Sequence, residues 1–172
     1  MLSRCGDVSQ EELDFASFYE TPRDDCLRTV LASVGDMDTA QDMVAEAFAR
    51  AWASWRKVSR HPAPRAWVVR TALNASVSSW RKRRRDQPLS ADDGVASANG
   101  LADPIGRELI AAIQRLPARQ RQVIAFRIIL DLDTAGTAKA LGIAPGTVKA
   151  HLSHGLAALR NELTALQERE IS

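Results

Sequence analysis

Residues 140–160 read ALGIAPGTVKAHLSHGLAALR and carry the most specific structural signal of this chain. We predict a short helix from about Thr134 to Leu141. Gly142 follows it and suits the left-handed conformation in which many helices end. Pro145 suits the first turn of a second, longer helix. A short helix, a glycine turn and a longer helix are the elements of a helix-turn-helix.

Three positions fit the interior of this motif: Ala138 is small, Gly142 allows a sharp turn, and Val148 is a buried aliphatic. The side chains expected on the exposed side of the second helix are Thr147, Lys149, Ala150, His151, Ser153 and His154. Lysine and histidine there would meet phosphates or base edges in a major groove. The expected inward residues are Val148, Leu152, Leu156, Leu159, Leu163 and Leu166. The alternative is an ordinary amphipathic helix of a bundle.

Two further helices are predicted upstream. Asp103 and Pro104 form a cap and first turn. An apolar stripe follows, consisting of Ile105, Leu109, Ala112, Ile113 and Leu116, and Pro117 ends it. Another helix is expected from about Ala118 to Leu130.

Charge is strongly segregated in the first half of the chain, although the net charge is only +2. Residues 1–46 hold eleven acidic and three basic residues, whereas residues 47–85 hold eleven Lys or Arg and no acid. All four tryptophans lie in this basic segment. A basic, aromatic surface favours nucleic-acid binding, whereas the alternative is a solvated charge run.

The first half also carries helix signals. Ser9 and Glu12 form a capping box, and Pro22 is expected to kink or split the helix that follows. Asp38 is a candidate cap for the next helix. Pro64 suits the first turn of a long basic helix through Arg85.

Two stripes run along this basic helix. Its expected core face is Ala66, Val69, Leu73, Val77 and Trp80. The second stripe is Trp67, Thr71, Asn74, Ser78 and Arg81, and it is polar except for the tryptophan. Such a stripe suits stacking on bases and pairing with phosphates.

Residues 86–106 contain no Lys or Arg and are rich in Asp, Gly, Ser, Pro and Ala. We predict a flexible acidic linker, because so long a structureless connection is unusual inside one domain. Aromatic residues make up only 5% of the chain and β-type alternation is sparse. The predicted fold class is therefore all-α, with two small helical domains.

Several function classes are disfavoured. No apolar run reaches the roughly 20 residues of a membrane helix, and the N-terminus lacks a secretory signal. Cys5 and Cys26 are expected to be free thiols in the cytoplasm, with a regulatory disulfide as the alternative. The three histidines lack partners at metal or triad spacing, and no phosphate-binding glycine loop is present. We expect neither an enzyme nor a metal or cofactor.

LPARQRQV (116–123) with ALGIAPGTVKAHLSHGLAALR (140–160) resembles the promoter-reading domain of the extracytoplasmic-function sigma factors of bacterial RNA polymerase. GDMDTAQDMVAEAFARAWASW (35–55) and PRAWVVRTALNASVSSWRKRRR (64–85) resemble their N-terminal domain. The resemblance implies a region 2-like domain over residues 9–85, a linker over 86–106, and a region 4-like domain over 107–168.

The resemblance also implies roles. Core polymerase would be bound by Asp42, Glu46, Phe48 and Arg50, with core packing as the alternative for Phe48. The promoter −10 element would be read and unpaired by Trp67, Arg70, Asn74, Ser78, Arg81, Lys82, Arg83 and Arg84, with burial as the alternative for Trp67. The helix-turn-helix residues would read the −35 element. The linker would mimic nucleic acid near the polymerase active site or serve as a plain tether.

Six positions depart from the family pattern: Ala45, Ser78, Gly136, Ala144, His151 and His154. Gly136 and Ala144 weaken a helix and a cap by about 1 kcal/mol each. The two histidines stand where arginines are common, which would make the −35 contact pH-sensitive.

The expected partners are core RNA polymerase and promoter DNA, and the resemblance allows an anti-sigma factor. Two other functions stay open. GTVKAHLSHGLAALR also resembles LuxR-type regulators, which bind intact duplex without polymerase. A sigma-like protein reduced to a binding partner is the other alternative, because of the departures.

Overall fold

The computed structural model describes residues 9–86 and 104–171. Over this part of the chain the structure is all-helical, as the sequence predicts, and contains no strand. The helices in chain order are α1 (Gln10–Glu20), α2 (Arg23–Val34), α3 (Met37–Ala53), α4 (Trp55–Val58), α5 (Pro64–Asp86), α6 (Pro104–Gln114), α7 (Ala118–Ile124), α8 (Thr134–Leu141) and α9 (Pro145–Ile171). A π-helical turn, Ala125–Ile129, continues α7.

The start of the fold follows its sequence signals. The Glu12 amide donates to Ser9 Oγ at 3.3 Å, and the Ser9 amide donates to Glu12 Oε2 at 2.7 Å, so the predicted capping box is present. Pro22 lies in the break between α1 and α2. The prediction that this proline separates two helices is confirmed.

The cap of α3 is Asp36, so the prediction of Asp38 was wrong. The Asp36 carboxylate accepts a hydrogen bond of 2.8 Å from the Thr39 amide. Gly35, at φ +85°, ends α2 in the left-handed conformation, and the chain turns directly into α3. The helix therefore begins at Met37, and Asp38 lies exposed in its first turn.

Helices α2, α3 and α5 pack together around the core of the first half. The long basic helix begins at Pro64 as predicted. Ala66 and Val69 are buried and Leu73 is half-buried, in agreement with the expected core face. Val77 and Trp80 lie outside the described side chains.

The apolar stripe of α6 is shifted from the predicted one. Ala112, Ile113 and Leu116 are buried as expected, but Leu109 is 41% exposed and Ile110 is buried in its place. Leu109 and Ile110 lie four and three residues before Ile113, so both are on its side of the helix, and periodicity alone does not decide which of the two is buried. Ile105 lies outside the described side chains.

The predicted helix over 118–130 is α-helical only as far as Ile124. The Leu130 amide then donates to the Ala125 carbonyl at 3.0 Å, which is the i→i−5 bond of a π-helix. Phe126 in this turn is fully buried. The spacing of apolar residues in so short a segment does not distinguish an α-helix from a π-helical turn.

Helix α9 buries a narrower stripe than predicted. Val148 and Leu159 are buried and Leu152 is half-buried, but Leu156 and Leu163 are 38% and 36% exposed. At 100° per residue these two leucines lie at one edge of the stripe. The buried stripe is instead centred nearer Gly155, where α7 approaches α9. A Cβ built on Gly155 would lie 2.7 Å from Ile124 Cδ1.

The two halves of the described chain are in contact with each other. Helix α2 packs against α6, α7 and the π-helical turn, and α8 packs against α5. Buried residues from both halves belong to one continuous apolar cluster. The composition of residues 86–106 suggested separate domains and gave no sign of this packing. The predicted linker falls mostly on residues 87–103, outside the described residues, and the domain boundaries stay predictions.

Candidate nucleic-acid interface

Helices α8 and α9 form a helix-turn-helix with the predicted interior. Gly142 has φ +66°, and the Ile143 amide donates to the Ala138 carbonyl at 3.1 Å, which closes the turn. Ala138 and Val148 are buried together with Val123 of α7 in a small cluster of their own. This cluster fixes the angle at which α9 leaves the turn.

The N-terminal part of α9 presents a continuous polar surface. Five of the six predicted contact residues are exposed: Thr147, Lys149, Ala150, Ser153 and His154. His151 is half-buried. The arrangement leaves one cation, two hydroxyl groups and two imidazoles on the side of the helix that a major groove would receive.

Helix α5 presents a second polar face. Arg70 and Asn74 are exposed and lie one helical turn apart, on the side opposite the buried Val68, Val69 and Ala72. A guanidinium and an amide at this spacing can reach a phosphate and a base edge together.

Trp67 lies one turn before Arg70, half-buried and packed against the main apolar cluster. Partial burial of this tryptophan is compatible with both interpretations from the sequence, a contact to the −10 element and packing in the core. The candidate contacts Ser78, Arg81, Lys82, Arg83 and Arg84 lie on α5 but outside the described side chains.

A third surface lies on α3, where Asp42, Glu46 and Arg50 are exposed at four-residue spacing. Arg50 Nε donates to Glu46 Oε1 at 2.8 Å in a solvent-exposed ion pair. Apart from Asp38, these three residues are the only charged ones in α3.

Phe48 does not share this surface. It is 2% exposed, and its ring lies 4.9 Å from that of Tyr19 and 5.8 Å from that of Phe18. In this structure Phe48 offers almost no surface to a partner, and a polymerase contact at this position stays a prediction. The alternative of core packing fits this residue.

Two family models match the chain. The model for Sigma-70 region 2 matches residues 18–86, and the model for Sigma-70, region 4 matches residues 106–159. The RNA polymerase sigma-E factor of Streptomyces coelicolor is 32% identical over 157 residues, covering 90% of this chain and 89% of that protein. The chain belongs to the sigma-70 family. It is an RNA polymerase sigma factor of the extracytoplasmic-function group.

Further relatives agree with this membership. The ECF sigma factor SigL of Mycobacterium tuberculosis (strain H37Rv) is 34% identical over 146 residues, covering 81% of this chain and 82% of SigL. Among solved structures, the sigma factor RpoE in complex with the anti-sigma factor NepR from Bartonella quintana has a TM-score of 0.73 at 22% identity. That match covers 88% of this chain and 97% of RpoE. The structural match shows the same fold.

This sigma factor offers no recognisable metal or membrane site in the described residues. Across residues 9–86 and 104–171, no group of three His, Cys, Asp or Glu side chains could hold an ion. None of the described helices combines the length and apolar character of a membrane span. Cys26 is a buried free thiol, while Cys5 lies outside the described residues.

Sequence reasoning missed two residues that join the halves of the sigma factor. Arg65 contacts Asp25 at 3.2 Å and the Leu130 carbonyl at 3.4 Å. Gln114 donates to the Ala32 carbonyl at 2.7 Å. Neither residue was assigned a role from the sequence, because contacts between distant segments leave no periodic signal.

Proposed function

We propose that this sigma factor directs promoter-specific initiation through three separate surfaces. The exposed side of α9, with Thr147, Lys149, Ala150, His151, Ser153 and His154, binds the −35 element in its major groove. The α5 surface binds and unpairs the −10 element. The charged face of α3 binds core polymerase.

The observation that carries the proposal is the separation of polar and apolar faces on these helices. On α3, α5 and α9 one face is buried in a core. The other face exposes ten of the candidate contacts: Asp42, Glu46, Arg50, Arg70, Asn74, Thr147, Lys149, Ala150, Ser153 and His154. The exposed residues are also the ones that match the family motifs, which a surface serving only solubility does not require. The exposed residues are therefore available for partners without disturbing the fold.

On α5, the proposal assigns Arg70 to the strand backbone and Asn74 to an unstacked base. A cation and an amide on one helix face suit a released single strand, which exposes both phosphates and base edges. The basic positions 81–84, together with Trp67 and Ser78, extend this proposed groove.

On α3, the proposal assigns Asp42, Glu46 and Arg50 to the polymerase. Phe48 acts indirectly, by fixing α3 against α1. The protein works in the cytoplasm, where polymerase is found, and the chemistry of RNA synthesis belongs to the polymerase. An anti-sigma factor is a further proposed partner, since the structurally similar RpoE has one in the NepR complex.

Gel filtration with sigma-free core polymerase, followed by transcription from genomic fragments, tests this function. We expect co-elution and discrete start sites. Co-elution without transcripts would favour a sigma-like binding partner, and failure to co-elute would favour a stand-alone regulator of the LuxR type.

A charge reversal localises the contact. Asp42→Arg should weaken co-elution at least about tenfold, as loss of an interfacial charge pair does. The matched control is Glu108→Arg, which makes the same charge change at an exposed position of α6. Equal co-elution of both variants would refute the assignment of α3.

A further inference from the structure

We propose that His151 and His154 of α9 bind promoter phosphates in their protonated form, so that binding of the −35 element takes up protons and strengthens as the pH falls. This inference rests on the proposed function of α9 and adds a chemical condition to it. It concerns the two imidazoles on the polar side of the helix-turn-helix.

The two imidazoles lie on one side of α9. Residues three apart on a helix are about 60° apart around its axis and about 4.5 Å apart along it. His154 is exposed, and His151 is half-buried because it lies three residues after the buried Val148, next to the core face. Both rings therefore lie on the polar surface that the proposed major groove receives, or at its edge.

Neither ring is engaged by the protein itself. Within residues 9–86 and 104–171, no hydrogen bond or ion pair involves the side chain of His151 or His154. The third histidine differs, since His61 Nδ1 accepts a hydrogen bond of 3.0 Å from the Ala63 amide. The ring nitrogens on α9 are thus open to an external partner.

The charged residues around the two rings are mostly cationic. Helices α7 and α8 pack against α9, and their charged side chains are Arg119, Arg121 and Lys139. On α9, Lys149 is the one charged residue between Pro145 and Leu159 apart from the histidines. None of these groups stabilises a positive charge on an imidazole, because like charges repel each other.

The carboxylates of this half of the protein are engaged elsewhere or lie on another helix. Asp133 accepts a hydrogen bond in capping α8, and Glu162, further along α9, pairs with Arg115 at 2.9 Å. Helix α6 also packs against α9, and its charged residues are Arg107 and Glu108. The strongest negative charge that the two rings would meet is therefore a DNA phosphate.

Protonation changes what an imidazole can do at DNA. A neutral ring has one N–H donor and one acceptor nitrogen, whereas a protonated ring donates from both nitrogens and carries a positive charge. Phosphate oxygens are acceptors, and charge-assisted hydrogen bonds to them are stronger than neutral ones. Histidine is the side chain whose charge changes most readily near neutral pH, so a phosphate beside the ring promotes proton uptake.

The direction of the pH effect follows from proton linkage. The complex holds more protons than the separate molecules, so its formation is favoured where protons are abundant. Affinity for a −35 duplex should therefore rise between pH 8 and pH 6, by about five- to tenfold for each histidine. The gain is lost as the pH rises, because a neutral ring no longer pairs with the phosphate.

Fluorescence anisotropy of the polymerase complex with a −35 duplex tests this at pH 6, 7 and 8. The duplex is taken from a promoter found by transcription from genomic fragments. The variant with both His151→Gln and His154→Gln keeps polar side chains that do not titrate. The wild type should gain about 25- to 100-fold in affinity from pH 8 to pH 6 relative to this variant. Titration of the polymerase and of the DNA cancels in the comparison.

Fixed charges at the same positions give the converse result. The variant with both His151→Arg and His154→Arg is cationic at every pH, so it should bind at pH 8 at least as tightly as the wild type does at pH 6. The salt dependence identifies the phosphates. For the wild type, the slope of log affinity against log salt should be steeper at pH 6 than at pH 8 by about 2, which is about 1 for each phosphate contact.

The matched control is His61→Gln, which removes an imidazole from the loop between α4 and α5 and should keep the wild-type pH dependence. His154→Gln alone, at a fully exposed position, should remove about half of the effect on a logarithmic scale. This single variant keeps the test valid if the double variant does not fold. Far-UV circular dichroism and co-elution with core polymerase are measured on the same samples.

Three results would overturn the proposal: the same pH dependence in the wild type and in the double glutamine variant, a wild-type salt slope that is equal at pH 6 and pH 8, or loss of the pH dependence in His61→Gln. No binding of the −35 duplex at any pH would refute the proposed function of α9, and this inference with it. Binding that is strong but independent of pH would refute the inference alone.

Discussion

The carboxylate of Asp36 accepts a hydrogen bond of 2.8 Å from the main-chain amide of Thr39 and thereby caps α3. Hydrogen bonding by the Thr39 side chain, and then by this amide, lowers the pKa of Asp36 below its usual value, because both stabilise the ionised form. Asp38, two residues later, is exposed inside the first turn. Asp36 precedes α3 and caps it, whereas Asp38 lies within its first turn. The two aspartates therefore have different roles at the start of the helix that carries the proposed polymerase contacts.

We predict that Asp36→Ala lowers the free energy of unfolding by about 1 kcal/mol, since one amide of α3 loses its partner. Asp38→Ala is the matched control and should cost at most a few tenths of a kcal/mol, through the helix dipole alone. Urea unfolding at pH 7 measures both. The difference should shrink as the pH falls through the depressed pKa of Asp36, because the protonated carboxyl is a poorer acceptor. Equal destabilisation by the two substitutions would contradict the assignment.

Cys26 gives a prediction about alkaline pH. Burial of its side chain raises the pKa of the thiol from 9.0 to about 12. The folded protein therefore holds the proton in a range where the unfolded chain releases it, and stability falls as the pH rises from 9 toward 12.

Replacing the thiol removes this dependence. Between pH 8 and pH 10, the free energy of unfolding of the wild type should fall by about 1.4 kcal/mol more than that of Cys26→Ala. Urea unfolding at both values measures it. The alanine variant carries the same lysines, arginines and tyrosine, so their titration cancels. Parallel pH profiles of the two proteins would show that the thiol does not titrate as proposed.

Local signals in the sequence predicted most helix boundaries. Ser9, Pro64 and Gly142 each act within one turn of the chain, so the capping box, the start of α5 and the helix-turn-helix were foreseeable. The cap of α3 was missed because aspartate is a preferred N-cap residue, and both position 36 and position 38 are aspartate. The conformation of Gly35 decides between them.

Burial was harder to predict than helicity. Leu109, Leu156 and Leu163 sit at helical spacing, yet each is more than a third exposed. Their exposure depends on where a neighbouring helix ends or approaches, as α7 does at Gly155. Phe48 shows the converse, since a position that the family resemblance predicted as a polymerase contact is buried in the core.

Contacts between distant segments left no sequence signal. Gln114 and Ala32 are 82 residues apart, and an amide next to an alanine carbonyl follows from no motif. The proposed DNA and polymerase residues came from motif positions instead. Where the structure describes these side chains as exposed, the exposure is compatible with the assigned roles, and the functions of all of them stay predictions.

Asn74 provides a test of strand opening. Asn74→Ala should reduce the unpaired fraction of the −10 element about tenfold, because a lost base contact costs about 1–3 kcal/mol. Permanganate reactivity of promoter thymines in the polymerase complex measures this fraction. Asn161→Ala, an exposed asparagine on α9, is the matched control. Co-elution with core polymerase should be the same for both variants, and full permanganate reactivity with Asn74→Ala would rule out this contact.

The last prediction concerns Lys149, the one cation among the exposed residues of α9 that face the proposed major groove. Lys149→Ala should weaken binding of the polymerase complex to a −35 duplex, measured by fluorescence anisotropy. If the ammonium group pairs with a phosphate, the loss is similar for all sequences, and the slope of log affinity against log salt becomes shallower by about 1. If it reads a base edge, the loss is about 1–3 kcal/mol and depends on that base pair.

The control for Lys149→Ala is Lys57→Ala, which removes the same charge from an exposed site on α4 in the first half. The net charge of the two variants is identical, so any difference between them reflects position and not overall electrostatics. We expect Lys57→Ala to leave both the affinity and the salt slope at wild-type values. If the two variants lost affinity equally, the α9 surface would have no special role in the −35 contact. Wild-type affinity and salt slope with Lys149→Ala would remove this lysine from the interface.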